Sequence, residues 1–192
     1  MVSCRKSCKL ENLSTKQLFL AALQIVIASC LLAILSVFKI PLYPTPMTLQ
    51  TFAVFIIPLI LGPYKGSMAV GLYLLEASCG WPILSGGSSN ALWILTPNFG
   101  FLLSFPLAAY VIGIIYRHFY SKNFFKTFFA VLCGQCIICC AGVSGLSCFF
   151  GWEKAYAYGV TPFMLAMLVK MLAAAACFHG MLSFKYVLKR KV

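Results

Sequence analysis

The chain has 192 residues, of which 62% are hydrophobic and only 9% charged, and its formal net charge is +12. Soluble domains of this size carry about 25% charged residues, and too little polar side chain is present here to cover a water-facing shell. The composition excludes a soluble enzyme, a DNA-binding domain and a disordered chain. What remains is an all-α integral membrane bundle. At about 20 residues per crossing, the length allows six transmembrane helices and no appended soluble domain.

Residues 1–16 form a basic N-terminal segment carrying Arg5, Lys6, Lys9 and Lys16. They resemble the start of a signal peptide. The apolar run that follows, Leu18 to Val37, is 20 residues long and lacks an Ala-x-Ala ending. It reads as the first membrane helix, and residues 17–192 read as one six-helix membrane domain. A loop from Lys39 to Gln50 comes next, with Pro41, Pro44 and Pro46 forcing a stiff, extended path. The second apolar stretch, Thr48 to Leu61, contains Pro58, and the third runs from Gly66 to Cys79. Both are short for a full crossing, so tilted or partly irregular spans are expected. The loop Gly80 to Asn98 carries no charge, many small residues and two tryptophans, Trp81 and Trp93. It reads either as an interfacial loop or as a segment folded back over a pocket, and the tryptophans favour the second. The remaining spans are Phe99 to Tyr116, a stretch within Phe124 to Phe150, and Pro162 to about Tyr186.

Charge orients this arrangement. With both termini cytoplasmic, twelve of the fifteen Lys and Arg residues lie inside, only Lys39 and Lys154 lie outside, and Lys170 lies within a span. Five or seven spans would put a basic end outside, against the positive-inside rule. The same placement argues against nucleic acid as a partner, because the basic clusters lack interleaved aromatics and groove-reading elements. Among the ten cysteines, Cys133, Cys136 and Cys140 share a helix face without His or acid beside them. They read as packing residues rather than a metal or redox centre. Cys4 and Cys8 fall in the segment expected to face the cytoplasm, where thiols stay reduced. No P-loop, Gly-x-Ser-x-Gly or His-Glu-x-x-His is present, and His118 and His179 fall near cytoplasmic helix ends. No catalytic set and no cofactor are implied.

Lys170 is the most informative residue. It lies eight residues beyond Pro162, roughly 12 Å below the outer end of the sixth span. A charge at that depth is costly, which makes it a functional candidate by default. It suits an anionic substrate entering from outside; the alternative is a snorkelling or bundle-paired lysine. Glu76 is the only acid within a span, and it either meets the substrate or Lys170, or is hydrated at the interface. Uncharged polar residues gather on the outer side: Gln50, Ser85, Ser88, Ser89, Asn90, Thr96 and Asn98. Trp81, Trp93, Tyr43 and Phe99 offer apolar walls, the usual makeup of a small-molecule pocket. In the first span, Ala22, Ser29, Ala33 and Ser36 form one stripe of small residues. Such stripes permit close helix approach, here either inside the bundle or against another membrane subunit.

The segment IPLYPTPMTLQTFAV (Ile40 to Val54) resembles the IPxxPVPxTLQTFAV signature of the BioY family, the biotin-specific S-components of energy-coupling-factor transporters. LGPYKG (Leu61 to Gly66), LYLLEASCGWPILSGG (Leu72 to Gly87), the stretch Thr96 to Tyr110 and the final G-x-TPF…K (Gly159 to Lys170) follow in the family's order. The resemblance covers nearly the whole chain beyond the first 15 residues. It implies a multi-pass subunit of the cytoplasmic membrane that binds biotin from outside and takes it up. Its partners would be a transmembrane coupling protein, cytoplasmic ATPases and the lipid bilayer. Lys170 aligns with the lysine of the family's G-D-x-x-K motif and would pair with the biotin carboxylate. Asn90, Gln50 or Glu76 would meet the ureido group, with Trp93, Tyr43 and Asn98 completing the site. Ala22, Ser29 and Ala33 would dock the coupling protein. One departure stands out: Ala166-Met167 replaces the family's Gly-Asp, and Glu76 is the expected substitute for the lost carboxylate. The other readings are a subunit for a different small anionic vitamin, and a membrane scaffold that transports nothing.

Overall fold

The computed structural model describes residues 15–40, 47–119 and 123–190. Seven helices follow one another: α1 Thr15–Val37, α2 Gln50–Leu61, α3 Pro63–Ser78, α4 Phe99–His118, α5 Phe124–Phe150, α6 Trp152–Gly159 and α7 Met164–Arg190. A two-residue antiparallel ribbon, β1 Lys39–Ile40 with β2 Met47–Thr48, closes the base of the first loop. The all-helical expectation holds, and five of the expected spans match α1, α2, α3, α4 and α5 closely. The sixth begins two residues later, at Met164. One element was not foreseen: α6 occupies what the sequence reads as plain connection. Nothing between Trp152 and Tyr158 breaks a helix, and Pro162 only interrupts it afterwards.

Among the described residues, four stretches are long and apolar enough to cross a bilayer: Thr15–Val37, Phe99–His118, Phe124–Phe150 and Trp152–Ser183. Helices α2 and α3 are shorter, at 12 and 16 residues. They rise only about 18 and 24 Å, against a hydrocarbon core of about 30 Å. They pair as a tight antiparallel hairpin. Gly62 makes the corner in a conformation with φ 84° that favours glycine. Pro63 then opens α3 at a position where its missing N–H costs nothing.

Contacts fix how the helices alternate. At one end, Ser36 of α1 meets the 83–86 backbone, Gln50 of α2 meets Tyr73 of α3, and Lys170 of α7 reaches Thr48. At the other end, Lys65 Nζ donates to Gln24 Oε1 at 2.8 Å, and Thr127 Oγ1 lies 2.9 Å from His179 Nε2. The starts of α1 and α5 and the later part of α7 therefore gather at the end that carries Lys65. The loop 79–98 lies at the opposite end.

Small residues set the spacing. A Cβ on Gly66 would come within 2.7 Å of Pro58 Cα, and one on Gly113 within 2.5 Å of Pro63 Cα. Gly100 and Gly145 face each other where α4 crosses α5. Without a hydrophobic drive between helices in lipid, such backbone approach supplies the packing. Of the three cysteines expected to pack, Cys136 and Cys140 lie exposed on the outer surface and Cys133 is half-buried.

Gly113→Ala is expected to lower stability by about 1–3 kcal/mol, because the obstacle is backbone that cannot yield locally. Gly71→Ala meets nothing within 4 Å and should leave the melting temperature unchanged or raised, through better helix propensity. Thermal unfolding of both variants in detergent checks the contrast.

Candidate functional site

A cavity of about 210 Å³ opens beneath the loop 79–98, between α2, α4, α5 and α7. Among the described residues its single charged lining residue is Lys170, and no carboxylate lines it. Lys170 Nζ donates to the Thr48 carbonyl at 2.5 Å and to Thr51 Oγ1 at 3.3 Å. Thr48 ends β2 and Thr51 lies in the first turn of α2, so the lysine ties α7 to the foot of the first loop. An ammonium carries three N–H donors. Neither partner is an acid, so the positive charge is solvated by oxygen but not neutralised.

The walls are mostly apolar. Phe101, Leu102 and Phe105 come from α4, Ile138 from α5, and Phe163 and Met167 from the α7 side. Trp93 is 4% exposed and fixed by its Nε1–H, which donates to Ser78 Oγ at 3.0 Å. Polar groups punctuate these walls. Gln50 and Gln135 are 3% and 6% exposed. Gln135 Nε2 reaches only a sulfur, Cys139 Sγ at 3.0 Å, and that thiol in turn touches Met167 Sδ at 3.6 Å. Asn90 Oδ1 accepts from Leu92 N at 2.9 Å, which shapes the loop. Among the described residues two buried side-chain atoms lack any hydrogen-bond partner, Ser85 Oγ and Asn98 Oδ1, and both residues line this cavity. An unmet buried polar atom costs about 1–3 kcal/mol, so two of them in one cavity mark places for ligand atoms.

Of the residues named from sequence, Lys170, Asn90, Gln50, Trp93 and Asn98 converge on this cavity. Glu76 does not line it. Its Oε2 accepts from Ser29 Oγ at 2.6 Å and so bridges α3 to α1. It does not stand in for a carboxylate beside Lys170. Tyr43 lies outside the described residues. The stripe on α1 also needs correction as a docking face. Ser29 and Ser36 are fully buried, held by Glu76 and by the Ile83 carbonyl, and Ala33 packs against the core. Only Ala22 is exposed. The stripe serves contact within the chain.

Sequence reasoning missed Gln135, Thr51 and Met167 as lining residues. A signal for Gln135 was present, since it is the one amide in the whole of α5. Met167 stood out only as the residue in place of the family's acid, and Thr51 carries no comparable signal. Trp81 and Phe99, offered as walls, do not line the cavity.

The BioY family model matches residues 7–185. The chain belongs to the BioY family. Among curated relatives of this BioY-family chain, the biotin transporter BioY of Thermotoga maritima is 34% identical over 139 residues, 71% of this chain and 80% of its own. The probable biotin transporter BioY of Pyrococcus horikoshii is 31% identical over 131 residues, 68% and 76% of the two chains. A crystal structure of the S-component for biotin from an ECF-type ABC transporter superposes with a TM-score of 0.81 at 22% identity. It covers 90% of this chain and 95% of that one. The fold of that S-component is thereby shared.

Ser29→Leu forces a large side chain into the α1–α3 contact and leaves Glu76 unpaired. It should lower the melting temperature sharply. Ala22→Leu should leave it within a degree or two, as expected of an exposed position. Equal effects of the two in a thermal melt would contradict the inward placement of the stripe.

Proposed function

We propose that this BioY-family chain is a biotin-binding subunit that takes the vitamin up across the cytoplasmic membrane. The observation that carries the reading is the polarity of the cavity. Among the described residues, one uncompensated ammonium sits among apolar walls with neutral polar groups and no acid. Biotin combines a carboxylate, an apolar bicycle and chain, and a neutral ureido group, which answer these three features. The names of the relatives agree with it. Lys170 holds the carboxylate, as a charge-assisted hydrogen bond in a site sheltered from water. Gln50, Asn90 and Asn98 stand toward the ureido group, and Trp93 against the apolar part.

Six crossings with both termini cytoplasmic fit the charge count and the alternation of helix ends. The loop 79–98 then faces outward and Lys65 and Arg117 face in, as the positive-inside rule requires. Energy is supplied by partners: a transmembrane coupling protein and cytoplasmic ATPases. The docking surface for them is not the α1 stripe, whose serines are spent on internal bonds.

Calorimetry of biotin with the purified protein tests the ligand. The wild type should bind tightly, and Lys170→Ala should bind about 10- to 100-fold more weakly, the worth of a hydrogen bond to a charged group. A folded wild type that does not bind biotin refutes the reading. The topology is tested separately in intact cells. A cysteine at Ser88 should react with an impermeant maleimide above the wild-type background, and one at Arg117 only after permeabilisation.

A further inference from the structure

Gln50 sits on the cavity wall with its amide almost wholly buried. Which end of that amide faces the ligand follows from the polarity of its neighbours. Tyr73 Oη lies 2.8 Å from the Ile83 carbonyl oxygen. A carbonyl only accepts, and two oxygens at that distance need a proton between them. The tyrosine alone can supply it. Its hydroxyl hydrogen is thereby committed to Ile83, and its oxygen is left to accept. Gln50 lies 2.8 Å from that oxygen and must therefore donate, through Nε2. The carbonyl end of the amide, Oε1, is what remains for the cavity.

We infer that Tyr73 is a positioning residue. It locks the Gln50 amide so that the cavity presents a hydrogen-bond acceptor, which selects ligands carrying a neutral N–H at that point. The inference rests on the biotin reading and deepens it: Oε1 of Gln50 accepts from one ureido N–H. The same residue ties recognition to the outer loop, because Ile83 belongs to that loop. Ser36 Oγ donates to the same carbonyl at 2.5 Å, and Gly86 N donates to the Ser36 carbonyl at 2.9 Å. Tyr73 itself does not line the cavity, so its effect on the ligand passes through Gln50.

The test compares biotin with its two cyclic carbamate analogues, in which one or the other ureido N–H is replaced by oxygen. Affinities are measured by calorimetry. For the wild type, one carbamate should bind about 10- to 100-fold more weakly than biotin, because two acceptors then face each other. Tyr73→Phe frees the Gln50 amide to rotate and donate, so this ratio should fall several-fold toward one. A general loosening of the fold would weaken both ligands alike and leave the ratio unchanged. Gln50→Met, which has no amide to orient, should also collapse the ratio, and adding Tyr73→Phe to it should change nothing more. If Tyr73→Phe does not fold, the ratio in Gln50→Met decides whether the acceptor is there. An unchanged ratio in either folded single variant overturns the inference. A wild type that binds biotin but does not discriminate between it and either carbamate overturns it as well. A wild type that binds no biotin removes the ligand reading itself, a different failure.

Discussion

The Ile83 carbonyl is the junction on which the cavity depends. Buried backbone outside a helix must find its hydrogen bonds within the protein. The stretch around Ile83 in the loop 79–98 is such backbone. Its Ile83 oxygen takes a hydrogen bond from Tyr73 in α3 and another from Ser36 in α1. Two of the most deeply buried side chains in the bundle are thus spent on one loop atom. They hold the loop against the helices, and residues 84–98 can then roof the cavity. Trp93, pinned to Ser78, fixes the roof at a second point.

Helix spacing determines where that cavity lies. Glycines bring α4 close to α5 and to the α2–α3 corner, leaving no room between those elements. Helix α7 carries no such set facing its neighbours: a Cβ on Gly180 would meet nothing within 4 Å. It packs on α2 and α5 with Ala174 and Ala175 fully buried, and Phe178 meets Tyr116 of α4 edge to face. The gap opens on the α7 side, and Lys170 and Met167 project there.

Much of this was legible in the sequence, for a physical reason. Long apolar runs between basic clusters have few alternatives to crossing a membrane, so the helix boundaries could be read. Lys170 could be read because a charge at that depth has to be explained. The directions in which helices face could not. In lipid the outer surface is as apolar as the core, so the hydrophobic pattern that betrays a buried face in water is absent. The small-residue stripe of α1 therefore announced close approach without naming the partner, which proved to be α3. Glu76 announced a need for a hydrogen bond but not that Ser29, 47 positions away, meets it. Gln135 stood out only as a lone amide, and its place beside Met167 depends on how α5 and α7 are rotated.

The apolar Met167 and the state of Lys170 belong to one electrostatic argument. A carboxylate one turn from the ammonium would neutralise it and lower its attraction for an anion. With Met167 there, the lysine is held by a backbone carbonyl and a hydroxyl, which stabilise its charge without cancelling it. An anion that uses only the third N–H leaves both bonds in place. One that takes two competes with Thr51 or Thr48 for the ammonium, and so with the tie between α7 and the foot of the first loop.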